Sequence, residues 1–258
     1  MIVSTRAVVL KTMKFGESSR IARIYTADFG KISVIAKGVR GPRGRFAAAL
    51  APMNVVSAVL YKKERTDLHL LTQCDLATAA TRLHTDLESM AAGMGMVELV
   101  DVVTHPDDPN STVYSLLVDS LQAADAATSD AARTLYRFET RLLDLLGFRP
   151  RLDACTVCGT PVGRSGEEGG PRPGLAAAGV LCGSCSVRLG AAMRLSHGAV
   201  GLLSSFLETA GEKTVLDSES GLRIAEAGRA LRWLYSTHVH GFRELKSERV
   251  FASLLPGA

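Results

Sequence analysis

Lys31-Ile-Ser-Val-Ile-Ala36 runs directly into Lys37-Gly-Val-Arg-Gly-Pro-Arg-Gly-Arg-Phe46, and this junction decides how the first third of the chain is read. The six residues before it have the pattern of a short buried strand. The ten after it hold four cations (Lys37, Arg40, Arg43 and Arg45) and no acid, while Gly38, Gly41, Gly44 and Pro42 exclude a regular helix or strand. A Gly-rich cationic loop on a β scaffold suits a phosphate backbone, because guanidinium forks on a pliable chain can follow irregular spacing. The alternative for the loop taken alone is a solvated connection with surplus charge.

Period-2 segments flank the junction on both sides. Val3–Thr12 predicts a first strand and Met13–Glu17 a loop. Ser18–Thr26 is a second strand, with Ile21, Arg23 and Tyr25 on one face and Ala22 and Ile24 on the other. Asp28-Phe29-Gly30 closes a hairpin into a third strand over Lys31–Lys37. After a helical turn at Phe46–Leu50, strands are expected at Asn54–Leu60 and Leu68–Cys74, joined by a second basic turn, Tyr61–Asp67. Five short strands with a longer connection between the third and fourth predict a barrel of the OB type. Such barrels bind oligonucleotides on strands 2 and 3 and on the 1–2 and 4–5 loops. Those positions supply Lys14, Phe15, Arg20, Arg23, Lys62, Lys63 and Arg65. An ordinary surface would intersperse acids among them.

The charge distribution agrees. The 258 residues carry a net charge of +4, yet residues 1–80 hold 13 Lys/Arg against 5 Asp/Glu, and the remaining 178 hold 17 against 21. The excess of +8 in the first third points to a polyanionic partner there. Aromatics are sparse in that segment (Phe15, Tyr25, Phe29, Phe46, Tyr61), which suits backbone-led, sequence-neutral binding better than tight stacking on bases. No signal peptide and no run of about 18 apolar residues is visible, so no membrane partner is expected.

From Leu76 the period becomes helical. Leu76–Val103 is rich in Ala, Leu and Met, with Gly93 and Gly95 as expected soft points, and Ser111–Thr128 and Asp130–Leu146 follow. The last of these has Ser129 or Asp130 as its cap and Gly147 at its C-terminus. Leu135, Phe138, Leu142 and Leu145 form its core stripe, and Arg133, Arg137 and Arg141 form a cationic stripe beside it. That stripe is either a solvated face or a docking rail for an acidic peptide. Residues 196–210 and 220–239 return to helix, and the tail Phe242–Leu255 is basic and amphipathic.

Cys155-Thr-Val-Cys158-Gly159 and Cys182-Gly-Ser-Cys185 are the most specific signal in the chain. Cysteines at i and i+3 in a tight turn aim both sulfurs at one point, and a second such pair completes the tetrahedron that Zn²⁺ prefers in a closed structural site. An iron–sulfur cluster and a pair of redox dithiols are the competing readings. Four thiolates leave zinc no open position, so the metal would be structural. Cys74 reads as a buried strand residue, and Gly163–Gly174 as a loose loop between the knuckles. The six histidines connect to no Ser or Cys nucleophile; His238 and His240 read as surface or capping residues, with extra metal ligation as the alternative. With no Walker loop and no dinucleotide fingerprint, no enzymatic activity is expected.

With these elements in hand, the chain resembles the RecO family of bacterial recombination mediators. The residues that carry the resemblance are Gly16-Glu17-Ser18, Tyr25-Thr26, Gly30-Lys31, Ala36-Lys37-Gly38-Val39-Arg40, Arg45-Phe46, Leu50-Ala51-Pro52 and Leu71-Thr72-Gln73. They continue in Arg137-Phe138-Glu139, Leu142-Leu143, Leu146-Gly147-Phe148, Gly179-Val180-Leu181-Cys182 and Leu245-Lys246-Ser247. The chain departs from the family where Glu248 precedes Arg249 after the closing Lys-Ser, and where the basic loop reads Pro-Arg-Gly-Arg.

The resemblance implies an α+β chain: a five-stranded OB-type barrel over 1–78, a helical domain over 79–149 and 193–258, and a four-cysteine zinc module inserted at 150–192. It also implies binding of single- and double-stranded DNA, annealing of complementary strands, and partnership with RecR. Contact with the acidic C-terminal tail of single-strand-binding protein is implied, and through it the loading of RecA, all in the cytoplasm at the nucleoid. Arg137, in the Arg-Phe-Glu run, makes the arginine stripe the candidate for that tail. A zinc-ribbon RNA-binding module is the alternative, since OB barrels serve both nucleic acids.

Overall fold

The structure, a computed structural model, describes residues 1–38, 46, 48–62, 66–78, 80–126, 130–162, 171–208, 220–243 and 245–247. Two compact units are present, Met1–Ala131 with Leu245–Val250 and Ala132–Glu244 with Phe251–Ala258.

In the first unit, β1 (Ile2–Phe15), β2 (Ser19–Thr26), β3 (Gly30–Ala36), β4 (Val55–Tyr61) and β5 (Leu68–Thr78) close into a barrel in the order β1-β2-β3-β5-β4. All pairs are antiparallel except β3 with β5. Strand β1 is long enough to serve two partners, pairing Ala7 with Thr26 of β2 and Ile2 with Tyr61 of β4. Its register shifts between Val9 and Lys11, the extra residue that lets a strand bend around a barrel. Ala7, Val9, Ala22, Ile24, Val34, Ala58 and Leu60 fill the interior. Cys74, opposite Ala58, lies among them, and burial first, then Asp75, pushes its thiol up to about 11.

The expected strands are all present, but two boundaries move. The first strand continues through Met13–Phe15 because Ser19–Ile21 is available to pair with it. The fifth strand continues to Thr78, opposite Val55, so helix starts at Arg82 rather than at Leu76. Hairpin residue Gly30 has φ +65°, and a Cβ there would collide with the Asp108 carbonyl, so both conformation and contact require glycine.

Three helices complete the unit: α1 (Arg82–Thr85), α2 (Leu87–Val103) and α3 (Ser111–Ala126). The Asp86 carboxylate caps α2 by accepting from Ser89 N. Gly93 and Gly95 are not soft points, for α2 runs unbroken through both. A Cβ on Gly93 would stand 2.6 Å from Met53 Sδ and 2.8 Å from Leu83 Cδ2, so the glycine permits close packing.

In the second unit, α4 (Ala131–Leu145) ends in a Schellman turn: Phe148 N donates to Leu143 O, Gly147 N donates to Asp144 O, and Gly147 has φ +86°. A small sheet, β7-β6-β8, is built from β6 (Gly174–Ala176), β7 (Gly179–Leu181) and β8 (Met193–Arg194), with α5 (Gly183–Leu189) leaving β7. Helices α6 (His197–Leu207) and α7 (Ser220–His238) follow. Tyr235, buried on α7, donates its hydroxyl to Glu139 O. Among the described residues no helix is long and apolar enough to cross a membrane.

Candidate nucleic-acid interface and metal centre

The ladder sorts the predicted cations of the barrel into two groups. Lys14 faces Arg20 directly across β1 and β2, and Arg20 in turn faces Ala36, the neighbour of Lys37. By strand alternation Arg20 shares the side of β2 that carries Ala22 and Ile24, but it stands beyond them at the barrel's mouth. Like charges opposite each other on a ladder repel, at a cost of about 0.2–1 kcal/mol. Among the described residues no carboxylate pairs with Lys14, Arg20 or Lys37. The mouth is therefore a candidate site for an anion. Arg40, Arg43 and Arg45, which follow Lys37 in sequence, lie outside the described residues, as do Lys63 and Arg65.

The other group is engaged within the protein. Arg23 is on the opposite face of β2 from Arg20, and its Nη1 donates to both carboxylate oxygens of Asp101 at 2.8 and 2.7 Å. Lys62 lies at the far end of β1, its Nζ 4.4 Å from the Phe29 ring centroid and 4.0 Å from Asp107 Oδ1. The outer face of β2 and β3, expected to be open, is covered at its hairpin end by the segment that follows α2. Tyr25 is buried with its hydroxyl 3.5 Å from Asn110 O, and burial followed by the Asp108 charge raises it to about 12.

Lys31 was not anticipated as a key residue. Its ammonium, with its side chain only 10% exposed, donates to the Asp101 and Thr104 carbonyls and lies 3.9 Å from the Asp101 carboxylate. Burial holds it below the usual lysine range, and Asp101 opposes that shift. The one signal in the sequence was a lysine opening a strand read as buried.

The four cysteines of the two CxxC pairs converge as expected. The Sγ atoms of Cys155, Cys158, Cys182 and Cys185 all lie within 4.8 Å of one another, with Cys158 and Cys182 3.6 Å apart. A tetrahedral zinc with bonds of about 2.3 Å sets sulfurs about 3.8 Å apart, so the cluster fits such an ion and is too open for disulfides. In the first knuckle, Gly159 (φ +74°) donates to Cys155 O and Cys155 N donates to Thr160 O. In the second, Cys182 immediately precedes α5, whose first turn is closed by Ser186 N donating to Cys182 O.

Thr156 N donates to Val180 O and Val180 N to Arg151 O, which binds the knuckles into one module. Burial raises the Cys155 thiol, but hydrogen bonds from the Cys158, Cys182 and Val157 backbone outweigh it and bring it to about 6. Cys185, beside Cys182, is pushed the other way, to about 12. Four thiolates cannot all ionise at this spacing unless a cation offsets them. His238 accepts no such role: its Nε2 meets Ala177 O at 2.8 Å and its ring stacks on Phe148.

On α4, Arg133, Arg137 and Arg141 form one half-buried row. Arg133 lies 5.8 Å over the Phe206 ring. Burial, then Arg141 and Arg133, lowers Arg137 from its ordinary value.

A closed β1-β2-β3-β5-β4 barrel joined to helices that carry a four-cysteine cluster defines an OB-barrel protein with a cysteine module whose geometry is compatible with a metal ion. The chain belongs to the RecO family: the family described as Recombination protein O N terminal matches residues 1–80, and Recombination protein O C terminal matches residues 84–249. Among its relatives, the protein named DNA repair protein RecO from Symbiobacterium thermophilum is 33% identical over 224 residues, 87% of each chain. That of Anaeromyxobacter dehalogenans is 35% identical over 201 residues, 78% of this chain and 77% of the relative. That of Prosthecochloris aestuarii is 33% identical over 171 residues, 66% of this chain, so the chain spans 65% of that relative's length.

Proposed function

We propose that this protein is a non-enzymatic DNA-binding mediator of recombinational DNA repair. In this reading it binds single- and double-stranded DNA, anneals complementary strands and, with RecR, helps load RecA onto DNA coated by single-strand-binding protein. The observation that carries the proposal is the ladder pair Lys14–Arg20 beside Lys37, without a carboxylate partner among the described residues, at the point where the Lys37–Arg45 basic stretch begins. Cations placed this way neutralise phosphates without reading base edges, which is what annealing of arbitrary sequences requires. Membership in a family whose relatives are named for DNA repair supports the same reading.

Cys155, Cys158, Cys182 and Cys185 would hold a structural Zn²⁺, whose charge fixes all four as thiolates and ties the two knuckles together. The half-buried arginines of α4 suit the acidic tail of single-strand-binding protein, with the exposed Leu145 at the end of the same helix, rather than the buried Leu135, Phe138 and Leu142, for the tail's apolar end.

The test is annealing of complementary oligonucleotides coated with cognate single-strand-binding protein, with and without this protein. Acceleration is expected with DNA, and lost when Lys14 and Arg20 are replaced by Ala. An RNA competitor that displaces DNA completely at equal concentration would favour an RNA-binding role instead.

A further inference from the structure

A groove of about 440 Å³ opens on the first unit between the bend of β1 and α2. Leu10, passed over by the ladder where its register shifts, lies in the groove with Met90, Met94 and Val97 of α2. Leu87 and Val102, 55% and 42% exposed, extend the apolar surface along the helix.

The rim carries two acids and two bases, but they are not equivalent. Glu98 is saturated, accepting from Lys246 N and Ser247 N at 2.9 Å and from Ser247 Oγ at 2.8 Å. Asp101 is committed to Arg23 and Lys31. Lys11 and Lys246, both exposed, have no carboxylate partner among the described residues. Glu98 keeps its charge, but with Arg23 and Lys31 set against Asp101 the described charges around the groove are four cations and two acids, a net excess of positive charge.

We propose that this groove docks a short acidic amphipathic segment of a partner protein. One large apolar side chain of the segment would rest against Met90 and Met94, and its carboxylates would reach Lys11 and Lys246. Methionines suit this role because their unbranched thioethers repack around different apolar shapes. A polynucleotide fits less well, since no aromatic side chain lines the groove to stack a base. The chain's own residues 248–258, Glu-Arg-Val-Phe-Ala-Ser-Leu-Leu-Pro-Gly-Ala, carry one acid balanced by one base, so they lack the anionic excess the rim calls for. The site is on a different unit from the Arg133–Arg137–Arg141 row and does not depend on the reading of that row.

The full zinc-loaded protein labelled with ¹³C-methyl methionine provides the test. The probe is an acetylated nonapeptide with two leucines flanked by aspartates. Saturable shifts are expected at the Met90 and Met94 methyls and not at Met193. Lys11→Glu with Lys246→Glu, both exposed positions, should weaken the affinity read from the Met90 and Met94 shifts at least tenfold, while Arg137→Glu leaves that site's affinity unchanged whatever it does to peptide bound at the arginine row. Unmoved Met90 and Met94 signals at saturating peptide would overturn the proposal. So would binding that is indifferent to the two lysine reversals, or an oligodeoxythymidylate that moves the same methyls when the peptide does not.

Discussion

The ammonium of Lys31 donates to the backbone carbonyl of Asp101 at 2.6 Å, joining the third barrel strand to the end of a helix 70 residues on. Its second acceptor is the carbonyl of Thr104, the residue that terminates α2. Carbonyls at a helix end have no partner within the helix and carry the negative end of its dipole, so a cation supplied by the barrel satisfies both needs.

Lys31→Met is accordingly expected to destabilise the protein by about 1.5–3 kcal/mol, the range for hydrogen bonds to charged groups, measured by urea unfolding. The pH dependence has a definite sign. Burial lowers Lys31 below its ordinary 10.5, so the unfolded chain holds this proton more tightly and the group's contribution to stability increases as pH rises toward 10.5. The wild-type-minus-Lys31→Met difference in unfolding free energy should grow over that interval. A flat or falling difference would show that burial is not what dominates the Lys31 titration, and that its acceptors hold the ammonium at least as well as water does.

Cys155→Ser should reduce bound zinc to near zero and lower the melting temperature of the second unit while the barrel stays folded. Structural zinc contributes on the order of 10–16 kcal/mol of apparent binding free energy in finger peptides, more than a short β7-β6-β8 sheet can replace. Metal analysis with far-ultraviolet circular dichroism melts reads both effects. Full zinc occupancy in the variant would remove Cys155 from the ligand set.

The barrel and the metal cluster were the most legible parts of the sequence, and for local reasons. Alternation over Ser19–Thr26 and Gly30–Ala36 sets which side chains point inward, and the i, i+3 spacing of each cysteine pair fixes where both sulfurs go. Less legible was anything decided by residues far apart in sequence. Arg23 looked like a surface cation until Asp101, 78 positions away, was seen to hold it. Gly93 looked like a weakness in a helix because nothing in its neighbourhood announces Met53 and Leu83. Glu98 and the Lys246-Ser247 segment meet across 148 positions, and no local pattern marks either.

Arg137→Glu should weaken binding of an acidic tail peptide from single-strand-binding protein at least tenfold, with affinity for naked DNA nearly unchanged. Reversing a charge in a partly desolvated ion pair costs about 2–5 kcal/mol, whereas an idle surface arginine costs almost nothing. Fluorescence anisotropy with labelled peptide and labelled oligonucleotide separates the cases. Equal losses for both ligands would assign the arginine row to the DNA path.

If cations at the barrel's mouth bind the DNA backbone, the salt dependence of single-stranded DNA binding will report each of them. Each phosphate neutralised contributes about −0.7 to the slope of log affinity against log salt. Replacing Lys14, Arg20 and Lys37 together by Ala should flatten that slope by about two units, equally for every oligonucleotide sequence, with the barrel's melting temperature preserved. A triple variant that keeps the wild-type slope would contradict the account.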